Sequence, residues 1–375
     1  MTDFSRRTLL AGAAGGLAFA AAAHTEEARG VYARATVIDA LGGPGGSKGD
    51  SETETEGLTD RHIADARASG LSAVNVTVSD VGNKPDAFEN TIDAIAWFEN
   101  EIDTHPDVFL RIRRGADLKA AKGSGRIGLI YGFQDLTPLN SSLDKIDTFH
   151  GLGLRVSQLA YNRRNLAGDG CLEPANGGLS LFGKEAVEKL NASRIVIDGS
   201  HGGVRLINEE IALSKAPMAV THTGCRALND VPRNIHDATM RALARKGGVM
   251  GVFSMPFLKA KGQPHAEDLL RHIEHALRIC GEDHVGLGSD GAISGEKIDD
   301  PKFQEDHRKF FEERLKLGIS APGEAADVYN VIPEYNDPRR FEKLAFDLSR
   351  RKVSDRVIEK VLGGNFARLF AEVWG

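Results

Sequence analysis

Cysteine is scarce in this chain of 375 residues: Cys171, Cys225 and Cys280 stand far apart, and no Cys-x-x-Cys pair occurs. At most one disulfide could form and an odd thiol would remain, which excludes a disulfide-stapled scaffold and a zinc ribbon. A basic excess is also lacking. Lys plus Arg number 47 against 53 Asp plus Glu, a net charge of −6, so a nucleic-acid-binding surface has little support. Beyond the first two dozen residues no apolar run is long enough to cross a membrane. What is present is ordinary globular material, 41% apolar and 27% charged, enough for a large core and unlike a disordered chain. The length allows two domains or one α/β barrel.

Met1 to Ala23 reads MTDFSRRTLLAGAAGGLAFAAAA. A polar start with Arg6-Arg7, a Gly/Ala-rich apolar run and small-residue sites such as Ala18-Phe19-Ala20 have the pattern of an export signal. Ser5-Arg6-Arg7-Thr8-Leu9-Leu10 resembles a twin-arginine signal. The expectation is a signal over 1–23, recognised by the twin-arginine (Tat) export machinery, and a single periplasmic domain over 24–375.

Short β-branched runs then recur: Thr36–Leu41, Ser72–Val78, Arg126–Gln134, Leu154–Tyr161, Arg194–His201, Pro217–Gly224, Gly247–Met255 and His284–Gly291. Between them lie segments of helical period, among them Ala87–Ile102, Lys184–Asn191 and Ala266–Cys280. Near-continuous apolar strands alternating with helices predict a parallel sheet buried on both faces, and eight of them predict a (β/α)8 TIM-type barrel. Asp39, Gln134, Tyr161, His201, His222 and Asp290 fall at or near the C-terminal ends of these runs, where such a barrel carries its chemistry. Polar, Pro-containing 293–340 reads as an insertion after the last strand, with the character of a lid.

A series of motifs in order carries a family resemblance. Ile197-Asp198-Gly199-Ser200-His201 and Thr221-His222-Thr223 resemble the two histidine strands of the membrane (renal) dipeptidases. Val231-Pro232-Arg233-Asn234 is similar to their arginine loop, and Gly286-Leu287-Gly288-Ser289-Asp290-Gly291 to their last-strand aspartate. Gly363-Gly364-Asn365-Phe366 resembles their closing motif; Gly177-Gly178-Leu179-Ser180 and Pro106-Asp107-Val108-Phe109 also fit. The resemblance implies a metallo-dependent hydrolase barrel with two bridged zinc ions, cleaving dipeptides with a metal-activated hydroxide. It implies that His201 and His222 hold one ion, that Arg233 receives the substrate carboxylate, and that Asp290 holds the substrate amine or handles protons.

The chain departs from that pattern in one half of the site. Where the family has a ligand His and a ligand Asp after the first strand, Leu41 and Gly43 stand here, and neither can bind a metal. Gln134 replaces the bridging glutamate, and Tyr161 replaces a histidine that contacts the reaction centre. His201, His222 and Asp290 remain, and such a set could hold one zinc or an iron(II), with Gln134 or Tyr161 completing the shell or bonding a bound water. A metal-free relic in which the two histidines bond one another is the bland alternative.

Other signals point elsewhere. Gly42–Lys48 lacks the ending of a phosphate loop and reads as a flexible loop over the barrel mouth; Asp50–Glu56 reads as a solvated acidic loop. His272 and His275, among Arg and Glu on a predicted helix, are expected on a solvated face. Ser200 lacks the surroundings of a nucleophile. Two functions follow as expectations. One is a one-metal hydrolase of a dipeptide or small carboxylate-bearing amide, with Tyr161 and Asp290 as catalytic residues and Arg233, Tyr161 and Asp290 contacting substrate. The other is a non-hydrolytic relative that binds or modifies a peptide-like metabolite. A homo-oligomer is compatible with either.

Overall fold

The computed structural model describes residues 29–45, 57–82 and 84–375. The expected export signal, the acidic run and 46–48 lie outside the described residues.

Eight parallel strands lie side by side in chain order. They are β1 (Ile38–Asp39), β2 (Ala73–Thr77), β3 (Ile127–Phe133), β4 (Leu154–Gln158), β5 (Val196–Asp198), β6 (Ala219–Cys225), β7 (Val249–Val252) and β8 (Val285–Leu287). Seven sit inside one of the eight predicted runs, and β6 runs one residue past its own, to Cys225. The first and last strands then meet: Ala40 N–H donates to Leu287 O at 2.9 Å and Asp290 N–H to Leu41 O at 2.8 Å. Gly42–Gly43 pairs in parallel with Gly291–Ala292, which completes the ring. Part of the loop expected to be flexible over the mouth is therefore strand-paired, because small residues on both sides let the two backbones approach.

One inward layer fills the barrel from below. Ile38, Ala73, Ile130, Val156, Val196, Ala219 and Val249, from β1 to β7, pack on Phe366, Phe370 and Trp374 of the C-terminal helix Asn365–Trp374. The eighth strand supplies Gly286, where a Cβ would come within 2.5 Å of the Phe366 ring. Glycine is required there because the helix plugs the barrel at that point. The wider apolar cluster lies between the strands and the surrounding helices.

The helix Ala266–Cys280 has the predicted bounds, but His272 and His275 are buried on it, not solvated. His272 accepts from Cys225 N–H and donates to Leu258 O, and His275 Nε2 lies 2.8 Å from Asp237 Oδ1. The charged neighbours in sequence misled because helical period sends them to the opposite face, while each imidazole finds polar partners inside. All three cysteines are free.

Barrel closure also fixes Asp39. Its carboxylate accepts from Ser289 N–H at 2.7 Å and Ser289 O–H at 2.5 Å, and it does not lie on the wall of the mouth cavity described below. Burial pushes its carboxyl up to about 6 from 3.8, with the Ser289 bonds pulling the other way. The folded chain thus holds this proton more tightly than the unfolded chain does. The stability it contributes is full below pH 3.8 and is lost as pH rises through about 6. Asp39→Asn cannot ionise and keeps one acceptor for Ser289. Measured by thermal melts, its stability relative to the parent should rise between pH 4 and 7 by roughly 3 kcal/mol, then level off. A pH-independent difference would remove Asp39 as the titrating group.

Candidate active site

A cavity of about 640 Å3 opens at the C-terminal ends of the strands. Gln134, Tyr161, His201, Arg233 and Asp290 all line it, as do Leu41 and Gly43. His222 is fully buried and does not form part of that wall; its ring lies behind His201, centroids 4.9 Å apart. Two of the polar residues are aimed by unusual backbone. His201 and Asp290 have φ of 62° and 59°, left-handed values that histidine and aspartate tolerate better than most residues and that turn each chain sharply at a strand end.

Hydrogen bonds set the tautomers of both histidines. Asn162 Nδ2 donates to Ile319 O at 2.8 Å, so its Oδ1 faces His201 Nδ1 at 2.7 Å and can only accept. His201 therefore carries its proton on Nδ1, and its Nε2 lone pair accepts from the Arg233 guanidinium at 3.1 Å. For His222, the hydroxyl of Thr221 donates to Asp198 Oδ2 at 2.5 Å and so has only a lone pair to offer Nδ1, 2.9 Å away. His222 Nε2 is left as a bare lone pair, buried and without a partner. Asp198 anchors this arrangement by accepting also from the backbone N–H groups of Ser200 and Thr221 and from the Ser200 hydroxyl. Ser200 is thus part of the scaffold, as its sequence surroundings imply.

Both imidazoles are held well below the usual histidine range. For His201 the main cause is burial, followed by the charges of Arg233, His222 and Arg314; for His222 it is burial and then Arg233. They stay neutral, as ligand imidazoles must. Asp290 is pushed up by burial, against the pull of Arg233 and Arg314. Burial also raises Tyr161, whose ring stacks on His201 at 4.0 Å and whose phenol oxygen accepts from Arg314 at 3.1 Å.

The two arginines of the cavity differ. Arg314, on the insertion helix Pro301–Lys316, is matched by Glu324 through two bonds of 2.9 and 2.8 Å. Arg233 is 3% exposed and is held by the His201 ring and the faces of Phe253 and Phe257, each 5.7 Å from its guanidinium carbon, rather than by a carboxylate. A buried cation whose direct partners are neutral groups can receive an anion.

The expected third metal donor does not join the histidines. Among the described residues no three His, Cys, Asp or Glu side chains gather closely enough to hold an ion, so what stands ready in this structure is the imidazole pair of His201 and His222. The backbone of Asp290 is held by the closing bond to Leu41, and its side chain lines the same cavity as His201. Gln134 Nε2 donates to Thr77 Oγ1 at 2.8 Å. Asn162, Thr221, Arg314 and Glu324 were not among the expected site residues. Asn162 and Thr221 adjoin Tyr161 and His222 at strand ends and could have been read from that placement; Arg314 sits in a mixed-charge helix with no such signal.

Among the described residues no helix is long and apolar enough to cross a membrane. The family model of the membrane dipeptidases, peptidase family M19, matches residues 15–310. An uncharacterized dipeptidase of Schizosaccharomyces pombe is 30% identical over 180 residues, 46% of this chain and 43% of its own length. Dipeptidase verJ of Clonostachys rogersoniana is 26% identical over 288 residues, 76% of this chain and 65% of its own. The match thus spans less than two thirds of either relative. Among solved structures, an amidohydrolase from Pseudomonas aeruginosa has a TM-score of 0.78 and 30% identity, covering 93% of this chain and 99% of its own. A metallo peptidase from Rhodobacter sphaeroides, liganded with a phosphinate mimic of the dipeptide L-Ala-D-Ala, has a TM-score of 0.72 at 17% identity, covering 91% and 99%.

Proposed function

We propose, for a chain that belongs to the membrane dipeptidase family of metallohydrolases, that its substrate is a dipeptide or a small amide bearing a free carboxylate, which it hydrolyses. The observation that carries this reading is Arg233, a buried guanidinium in contact with no carboxylate among the described residues, set beside the polar strand ends of the barrel. A substrate carboxylate would pair with it. Asp290, in the electrostatic reach of both arginines, would take the substrate ammonium. Tyr161 accepts from Arg314 and keeps its own proton, which it can donate to the amide oxygen as charge builds there.

The family works with metal, and the residues here suit one ion rather than two. Leu41, Gly43 and Gln134 offer no anionic donor for a second. Among the described residues His222 Nε2 is a buried lone pair with no partner, and the neighbouring Nε2 of His201 is met only by Arg233. These two imidazoles would hold the ion, with zinc or iron(II) both compatible with the donors. When bound, the ion supplies Lewis-acid chemistry and an acidified water. Asn162 and Thr221 keep both imidazoles in the ligating tautomer, and the pairing of Arg233 with a substrate carboxylate would draw its guanidinium from His201.

The test is amino-acid release from a panel of dipeptides and their C-terminal amides by the purified protein, before and after chelation. Cleavage of the free acids alone, at least tenfold faster than the amides and lost on chelation, is the expected result. Tight binding without release would support the non-hydrolytic alternative instead. The twin-arginine-type N-terminus is proposed to deliver the folded protein to the periplasm, which Arg6→Lys with Arg7→Lys should prevent in a fractionation experiment.

A further inference from the structure

The half of the cavity where Leu41, Gly43 and Gln134 replace the family's ligands has a chemistry of its own. Leu41, at the position of a family ligand, shares the wall with Val76, Val78, Trp97 and Phe98. Leu41, Val76, Val78 and Phe98 are 4% exposed or less, and Trp97 stands edge-on to Phe98 at 4.9 Å. The polar residues at this end are engaged with one another: Asp80 accepts from Lys84 at 3.1 Å and from Asn90 at 2.6 Å, and Gln134 is tied to Thr77. An empty ligand set would leave polar stubs around a hole. Here Leu41 and its aliphatic and aromatic neighbours form an apolar wall beside the polar Ser79, Asp80 and Asp93, and a concave apolar wall with a few polar groups is the common form of a small-molecule subsite.

We propose that this recess is a side-chain subsite, and that the preferred substrate joins its carboxylate-bearing unit through the amide to an apolar group of aromatic size. The carboxylate lies at Arg233 and the apolar group lies against Leu41, Val76 and Trp97. The inference rests on the carboxylate reading of Arg233 given above, and deepens it by naming what occupies the other end. The cavity of about 640 Å3 is large enough for both parts at once.

Calorimetric titration of the full chain with acetylglycine, benzoylglycine and the methyl ester of each tests it. Benzoylglycine should bind about tenfold to a hundredfold more tightly than acetylglycine, the range expected for burying a phenyl group. Leu41→Asn should shrink that ratio towards one. Because a buried amide could impair folding, Val76→Thr, of nearly the same shape, provides a second reading, and circular dichroism checks both. Equal binding of the two acids by the parent would overturn the subsite, and so would a benzoyl preference that both folded variants retain. Failure of the underlying reading looks different: the esters would then bind as well as the acids, whatever the acyl group.

Discussion

Arg233→Ala should weaken carboxylate-bearing ligands about tenfold to a hundredfold, while their methyl esters change little. The reason is the setting of the guanidinium. A charge-assisted bond from a buried donor contributes about 1.5–3 kcal/mol, and among the described residues no protein carboxylate is in hydrogen-bond or ion-pair contact with this one. Arg233→Lys should recover only part of the loss, since a point charge cannot reproduce the planar fork. The same substitution frees His201. Arg233 is the largest charge holding that imidazole down, after burial itself, so the alanine variant should titrate His201 nearer to its ordinary range. Calorimetry on the acid and ester pair and NMR of the ring protons read the two effects separately. Equal losses for acid and ester would take Arg233 out of the anchoring role.

Metal analysis of the parent chain should find no more than one catalytic ion, and Leu41→His, Gly43→Asp and Gln134→Glu introduced together should raise the number towards two. Dipeptide hydrolysis should rise with it, on the order of a hundredfold, because a second ion adds several kcal/mol of charge stabilisation. The structure favours the attempt. A Cβ added at Gly43 meets no atom closer than 4.0 Å, and this glycine does not have the left-handed φ that would exclude an aspartate. Gln134→Glu alone should leave the count unchanged, since Leu41 and Gly43 still offer nothing opposite it. A folded triple variant with a single ion would show the first strand to be misaligned with the family; two ions in the parent would reveal donors outside those named.

The barrel was legible because parallel strands buried on both faces leave uninterrupted β-branched runs, and six of the eight carry a polar residue of the expected site type at or near their C-terminal ends. His201, Tyr161, Gln134 and Asp290 could be picked out by type and place, and Arg233 by the resemblance of its loop to the family's arginine loop. Separation between them could not. Whether Asp290 comes near the imidazoles depends on a left-handed turn and a closing bond to Leu41, neither of which has a local signature. Asp39 looked like a site residue by the same rule, yet Ser289 claims it, a pairing between distant positions that only closure creates. His272 and His275 failed for a related reason: the face a helix buries is set by its neighbours, and Cys225 and Leu258 are remote in sequence.

Asp39 and Ser289 lie 250 positions apart, and their bond is part of the seam that shuts the barrel. Loop-closure entropy makes such a pairing late on the folding route, after the local strand–helix units have formed. The walls of the cavity, Leu41 and Gly43 on one side of the seam and Asp290 on the other, are brought together in the same event. Ligand affinity is therefore acquired at the final step, all at once. A compound filling the cavity slows reopening of the seam and holds the finished barrel shut, but it cannot guide an unfinished chain towards it.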